Sequence, residues 1–261
     1  MTLVLSAMPM YAGGADPFEL WQPTTVAGFV LDINPHFQVT PGSDGLRVTA
    51  ESIINNVAAA TDDFANANPS LQPTYDPLGW TGTTYTRPSI EFNGSSEYLV
   101  CTSTIGSTLV GGTDTAFTMF VVGQYLDVSG TRAPVFIGRS SSTSSFWDFY
   151  SDSSLHKSLK RDASAVQVQV TGGTPDVDPH VFEFNHSGTN LAMNIDGANI
   201  ISASQNVGSL TIDRMSLGST FANAVPANYA NFRLARLLAF TGSLNSTDAD
   251  YVRSVLTSMY M

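Results

Sequence analysis

The sequence predicts an all-β chain closed by one C-terminal helix, and three stretches carry that prediction. In Arg87-Pro88-Ser89-Ile90-Glu91-Phe92-Asn93-Gly94-Ser95-Ser96-Glu97-Tyr98-Leu99, a proline entry leads an alternating run with Ile90 and Phe92 on one face. Proline begins a strand but cannot sit inside one, and Asn-Gly supplies the positive φ that tight hairpins favour, so a hairpin is expected here. Between His180 and Ser204 lies a meander: HVFEFN, the turn His186-Ser187-Gly188, NLAMNI, the turn Asp196-Gly197, then ANIISAS. Asp-Gly between alternating runs is a strong short-range hairpin signal. Helical spacing then takes over, since Thr247-Asp248-Ala249-Asp250 has the form of a capping-box start. Ala249, Val252, Val255, Leu256 and Met259 follow at intervals of one apolar face.

The remaining elements fill in the same way. Val26 to Ile33 and Leu46 to Thr49 read as early strands, and the Ala/Asn-rich stretch from Ala58 to Pro77 reads as a long ordered loop. Ala116 to Leu126 (AFTMFVVGQYL) is apolar at nearly every position, which suits a strand covered on both faces. Pro134 to Gly138 and Ser145 to Tyr150 read as strands divided by the serine tract Ser140 to Ser145, a turn. Arg214 to Gly218 and Asn231 to Phe240 complete the set.

Composition bounds the functional classes. The chain has 261 residues, 43% hydrophobic and 13% charged, enough to bury a large core in one sandwich-sized domain. A formal charge of -11 argues against nucleic acid, whose binders present a basic face to release counterions. The one basic cluster, His156-Lys157-Ser158-Leu159-Lys160-Arg161, reads as a solvated loop or an edge-strand guard. No window holds the 18 or so apolar residues of a membrane span. Met1 to Met10 lacks a basic n-region and Pro9 interrupts its apolar run, so no secretory leader is expected there. Cys101 has no second cysteine to pair with and is expected to pack as a small hydrophobe.

Five blocks in order, RPSIEFNGSSEYL, AFTMFVVGQY, NLAMNIDGANI, MSLGS and FRLARLLAFTGSLNSTDADYVRSVL, resemble the concanavalin-A-like superfamily in its laminin-G-like branch. The resemblance covers roughly residues 25 to 261. It implies a two-sheet antiparallel jelly-roll sandwich over 25–261, with a short C-terminal helix and an irregular N-terminal arm over 1–24. It also implies a concave surface that in many relatives meets carbohydrate. Because this fold hosts lectins, glycanases, lyases and plain structural modules, the class of work must come from the residues.

Those residues do not point to catalysis. Glycosidases of the resembled fold carry a Glu-x-Asp-x-Glu strand that sets two carboxylates on one face, and no such triplet occurs. Asp176-Val177-Asp178 falls in a turn, and Asp248-Ala249-Asp250 at a helix start, where acids complement the dipole. No Gln-x-His of the lyases is present, and His36, His156, His180 and His186 are scattered as ordinary turn or surface residues. The chain is therefore expected not to be an enzyme. The alternatives are a glycanase or lyase with unfamiliar residues and a secreted lectin of the same fold. No cofactor is expected. The resemblance admits one calcium held by rim loops, with Asp62, Asp63, Asp176, Asp178 and Asp196 as the acids available, but no motif assigns them and solvated loop acids is the plainer reading. Asp196 is already explained as a turn residue.

Aromatic rings are the best candidates for a sugar platform: Trp80 and Tyr85 before the 87–99 segment, and Trp147 and Tyr150 after the serine tract, with Asp148 beside them. Each ring reads first as core or staple and second as a stacking surface. Alternation puts Phe146, Asp148 and Tyr150 on one face of their strand and Trp147 and Phe149 on the other. Asn93, Asp148 and Asn194 are the polar companions considered.

A lysine-poor jelly roll rich in Ser, Thr, Asn and Gly, without active-site residues, resembles the appendage and decoration proteins of tailed bacteriophages. That resemblance implies a virion location (extracellular as the alternative), other virion subunits as partners, a homo-oligomer or larger assembly, and cell-surface glycan as a candidate ligand. The apolar residues of 1–24, Leu3, Val4, Leu5, Met8, Met10, Tyr11, Phe18, Leu20 and Trp21 among them, suit a docking arm.

Overall fold

The computed structural model describes residues 25–35, 39–41, 48–51, 54–55, 64–80, 86–102 and 104–261. The segment read as a docking arm, 1–24, lies outside the described residues. In chain order the strands begin with β1 (Phe29–Ile33), β2 (Val39–Pro41), β3 (Val48–Glu51), β4 (Ile54–Asn55), β5 (Phe64–Ala65), β6 (Thr74–Trp80), β7 (Arg87–Asn93) and β8 (Leu99–Cys101). A short helix, α1 (Ile105–Val110), precedes β9 (Phe117–Tyr125), β10 (Arg132–Gly138), β11 (Phe146–Ser151), β12 (His156–Arg161) and β13 (Gln167–Gly172). The meander β14 (Pro179–Ser187), β15 (Asn190–Ile195) and β16 (Ala198–Ser204) leads to β17 (Arg214–Leu217), β18 (Thr220–Ala222), β19 (Val225–Ala227) and β20 (Asn231–Thr241). Helix α2 (Ser246–Tyr260) ends the chain.

Among the described residues these strands build two nine-stranded antiparallel sheets, with β18 and β19 as a separate hairpin. The first sheet runs β16-β15-β14-β9-β20-β1-β4, and β7 joins β20 with β6 outside it. The long strand β20 has room for two partners along one edge, pairing β7 through Asn231–Leu234 and β1 through Leu237–Phe240. The second sheet runs β13-β12-β11-β10-β17-β8-β5-β3-β2.

The sheets close on each other through one hydrophobic core. The first contributes Ile90, Phe92, Phe117, Met119, Val121, Phe182, Phe184 and Leu237, and the second Leu99, Cys101, Val135, Ile137, Trp147, Phe149, Met215 and Leu217. Cys101 packs there as a small hydrophobe. The first sheet is also covered on its other face, where α2 lays Ala249, Val252, Leu256, Met259 and Tyr260 on Phe29, Phe120, Val122, Val181, Leu238 and Phe240. The near-continuous apolar run of β9 is thus satisfied on both sides, as its sequence requires. Each large side chain so buried contributes about 1.5–3 kcal/mol before ordering costs.

A bulge between Leu234 and Arg236 shifts the alternation of β20 by one residue. Leu234 and Leu237 thereby both face the core, while Arg236 faces α2, fully buried. Asp32 of β1 answers it, accepting from Arg236 Nε at 3.0 Å and Nη2 at 2.7 Å. The end of α2 is fastened nearby. Trp80 Nε1 donates to the Tyr260 carbonyl and Arg87 Nε to the Met259 carbonyl, both at 2.8 Å, so orphan carbonyls of the last turn are satisfied by an indole and a cation. Asn245 caps the other end, its Oδ1 accepting from the Asp248 amide at 3.0 Å.

Four expectations are corrected. Arg87 to Leu99 is not a hairpin, because β7 pairs β6 and β20 in the first sheet while β8 pairs β5 and β17 in the second. The Asn93-Gly94 turn carries the chain across the sandwich, with Asn93 Oδ1 accepting from the amides of Ser95, Ser96 and Glu97. The stretch read as a loop over Ala58 to Pro77 contains β5 and the start of β6. Helix α1 was not anticipated, since six residues are too few to show a period. The basic cluster is β12, an interior strand between β11 and β13, whose inward positions His156, Ser158 and Lys160 are buried. The β15–β16 hairpin forms as read, with Asp196 and Gly197 at φ 52° and 85°.

Replacing Asp32 with alanine strands the Arg236 charge in the interior, and the expected cost is about 3–5 kcal/mol. Equilibrium urea unfolding of the variant against the parent measures it, and a loss under about 1 kcal/mol contradicts this account.

Candidate functional site

Along the first sheet, α2 covers β9, β20, β1 and Val181 of β14, and a cleft opens between its first two turns and the outer face of β14 and β15 around Glu183, Asn185 and Asn194. Its volume is about 400 Å³, and its walls are Glu183, Asn185, Ala192, Asn194 and Gly197 from the sheet side and Leu244, Ser246, Ala249, Asp250 and Arg253 from the helix side. Register explains the sheet wall: Glu183 stands opposite Asn194, and Asn185 opposite Ala192, all on the face turned from the core. On the helix, Ser246, Ala249, Asp250 and Arg253 recur at intervals of three and four, so one stripe of the first two turns faces the cleft.

The polar groups are held before any ligand arrives. Arg253 donates to Glu183 Oε2 through Nε at 2.9 Å and Nη2 at 2.6 Å, and to Asp250 Oδ1 through Nη1 at 2.8 Å. Asn185 Nδ2 donates to the Leu244 carbonyl at 3.3 Å while its Oδ1 accepts from Ser243 Oγ at 2.6 Å, which fixes the amide orientation. Asn194 has a buried Oδ1 with no hydrogen-bond partner. Glu183 engages Arg253 through Oε2 alone, leaving Oε1 as an acceptor. Both cleft carboxylates therefore share one guanidinium and serve as oriented acceptors. Burial opposes the charge of Arg253, but its bonds to Glu183 and Asp250 outweigh that and raise its pKa.

The residues singled out in the sequence do not assemble here. Trp80 is 1% exposed, its ring edge-on to Tyr260 beneath α2. Trp147 is 0% exposed, packed between Phe117 and Phe184 with Nε1 donating to Ser158 Oγ at 3.0 Å. Neither ring offers a face to solvent: both are the staple and core of the first reading. Tyr85 lies outside the described residues. Asp148 and Tyr150 share the outer face of the second sheet, as alternation required, far in topology from the cleft. Asp148 is 6% exposed, with Oδ1 unpartnered, and burial pushes its carboxyl well above the usual carboxylate range. Tyr150 is half-buried, its hydroxyl 3.4 Å from Gln169 Oε1 and its ring under Lys157 Nζ. Burial, then the Asp148 and Asp152 charges, raise its phenol to about 12.

Of the polar companions, Asn93 is occupied with its own turn, and Asn194 alone lines the cleft. Sequence reasoning missed Glu183 and Arg253, which sit 70 residues apart. The available signal was a charged residue, Glu183, set among Val181, Phe182 and Phe184, which asks for a partner.

The histidines differ from the expected surface residues, since His156 and His186 are buried; His36 lies outside the described residues. Two of the acids considered for calcium, Asp176 and Asp196, converge on His180 instead. Its Nε2 lies 2.9 Å from Asp176 Oδ1 and its Nδ1 2.6 Å from Asp196 Oδ2. Among the described residues no group of three or more His, Cys, Asp or Glu is arranged to hold a metal; Asp62 and Asp63 lie outside them. No described helix is long and apolar enough to cross a membrane.

No known family profile matches this chain, and no curated protein matches it. Solved structures match in fold. The chain aligns with the NanB sialidase from Streptococcus pneumoniae at TM-score 0.53 and 13% identity, over 66% of this chain and 27% of that one. The botulinum neurotoxin serotype G binding domain gives TM-score 0.55 and 9% identity, over 75% of this chain and 49% of that one. The fold is a jelly-roll sandwich. The CBM40 of the Ruminococcus gnavus IT-sialidase, bound to α2,3-sialyllactose, gives TM-score 0.48 and 11% identity over 57% and 83% of the two chains. At such identities the likeness is one of fold alone, and the chain spans 28% or less of the NanB chains and half of the toxin domain.

Burial lowers the pKa of His180, but its bonds to Asp196 and Asp176 and their charges outweigh that and raise it to about 9. A folded pKa above the unfolded one near 6.5 means the stabilisation is complete below about pH 6.5 and is lost as pH rises through about 9. The stability difference between the parent and His180→Gln is therefore expected to be largest near pH 6 and to shrink by pH 10, as read by urea unfolding across that range. A difference that does not change with pH refutes the clamp.

Proposed function

We propose that this chain is a non-catalytic glycan-binding jelly-roll module that binds saccharide in the cleft between β14–β15 and α2. The observation that carries the reading is the cleft's chemistry: a preformed hollow of about 400 Å³ lined by acceptors and donors already fixed in orientation. Sugar hydroxyls both donate and accept, and a site of oriented amides, carboxylates and a serine hydroxyl meets them without reorganising. Asn194 Oδ1 and Glu183 Oε1 supply unfilled acceptors, and Ser246 and the Arg253 edge supply donors. A neighbour in fold lends support, since the neurotoxin domain is a binding domain. Carboxylates tied to one guanidinium favour recognition over acid–base work, so an enzyme is the weaker alternative.

The same proposal places the module, in its laminin-G-like branch, on a virion as a structural or adhesion subunit of a phage capsid, tail or fibre. The lysine-poor, Ser/Thr/Asn/Gly-rich composition and the apolar 1–24 segment, suited to docking on another subunit, support that setting. Mass spectrometry of the protein isolated from its native source tests it: fixed stoichiometry with capsid or tail subunits is expected, and a free monomer overturns it.

For the cleft, a glycan array is expected to return a restricted set of binders. Asn194→Ala and Ser246→Ala are each expected to weaken the best of them by about five- to tenfold, one hydrogen bond's worth. Unchanged binding in both variants, or turnover of the glycan, rules the reading out.

A further inference from the structure

Lys160, Asp114 and His186 form a cluster at one end of the sandwich, apart from the cleft. Lys160 projects from β12 into the interior with its side chain 0% exposed, opposite Trp147 across the β11–β12 ladder. Trp147 packs on Phe117, and Phe117 stacks on the His186 ring at 5.7 Å, so the surroundings are apolar. Two polar atoms lie near the Lys160 Nζ: His186 Nε2 at 3.5 Å and Asp114 Oδ1 at 3.8 Å.

The protonation pattern follows from the contacts. His186 Nδ1 lies 2.8 Å from the Thr115 carbonyl, which only accepts, so Nδ1 bears the hydrogen and Nε2 turns its lone pair toward Nζ. Asp114 stands in the loop before β9 with φ 48°, and its Oδ1 is buried with no hydrogen-bond partner. A separation of 3.8 Å is too long for a hydrogen bond, so the buried ammonium faces the buried Asp114 Oδ1 without the bond that compensates such a pair. Burial lowers the Lys160 pKa against the raising effect of Asp114, and burial followed by the Lys160 charge lowers His186 to about 4, which keeps the imidazole neutral.

We propose that Lys160 and Asp114 condense into an intramolecular isopeptide bond that ties the second sheet to the loop entering the first. A proton passes from the ammonium to the Asp114 carboxylate it faces, leaving amine and carboxylic acid. Nζ attacks Asp114 Cγ and the N–C bond forms. The C–O bond to the protonated oxygen breaks, and that oxygen leaves as water, taking one proton from the nitrogen. No oxidant or further reactant enters. The product is a neutral amide in place of a buried ammonium and its carboxylate, which is the driving force this environment supplies. With Cys101 unable to form a disulfide, the bond is a covalent staple between the layers.

The test is the mass of the purified full chain under denaturing conditions, with tryptic peptide mapping. The expected result is a chain lighter than its sequence by one water, with residues 114 and 160 in one branched peptide uncut after Lys160. Asp114→Ala is expected at its full sequence mass. Asp114→Asn, which closes the same bond by releasing ammonia, is expected at the parent's mass. The parent chain at full sequence mass with separate linear peptides overturns the proposal, and this reading does not depend on any variant folding. A water loss that persists in Asp114→Ala overturns the assignment of the bond.

Discussion

The placement of α2 over the outer face of the first sheet is the constraint on which the rest of the structure depends. Without it Phe120, Val122, Leu238 and Phe240 would lie in water, and β9 and β20 could not be apolar on both faces. The helix is held at a defined angle because its contacts are polar as well as apolar. Arg236 and Asp32 form a two-point pair directly under it, and Trp80 and Arg87 engage its last carbonyls. A carboxylate–guanidinium pair adds geometric specificity that apolar packing alone does not supply. Those groups come from β1, β6, β7 and β20, so the seat of the helix is assembled from strands distant in sequence.

The cleft is a consequence of that placement. Because α2 packs on Val181 of β14 but leaves the outer face uncovered from Glu183 onward, that part of β14 and the neighbouring β15 form a cleft with its first two turns. Their outward-facing positions are Glu183, Asn185 and Asn194 where the covered strands carry apolar residues. Arg253 bridges the two walls, acting both as a support for the helix and as an element of the lining. A jelly roll whose backing layer stops short of one edge thus acquires a polar hollow without a dedicated loop.

The second sheet uses polarity differently. Its inward positions on β12, His156, Ser158 and Lys160, enter the interior where an all-apolar strand would be simpler. Ser158 is matched to the Trp147 indole, and Lys160 to the cluster at the sandwich end. Buried polar groups of this sort are costly when half satisfied, so each marks a place where register or chemistry is imposed.

Much of the architecture was legible in local pattern. The all-β character, the doubly buried β9, the Asp196-Gly197 hairpin and the face of α2 each follow from residues within one turn or one strand. What could not be read locally was partnership. The Asn93-Gly94 turn is the same dipeptide whether the next strand returns to its own sheet or crosses to the other, and only the competition of β17 and β5 for β8 decides between them. Trp80 and Trp147 carry no sequence mark that separates a core ring from an exposed one, and long-range packing put both inside. Glu183 and Arg253, and Lys160 and Asp114, are pairs made by strands and helix brought together from far along the chain. The sequence by itself thus determined which segments are strands and which faces are apolar, because those depend on near neighbours. The tertiary structure alone decided which polar groups meet, because meeting depends on how the layers stack.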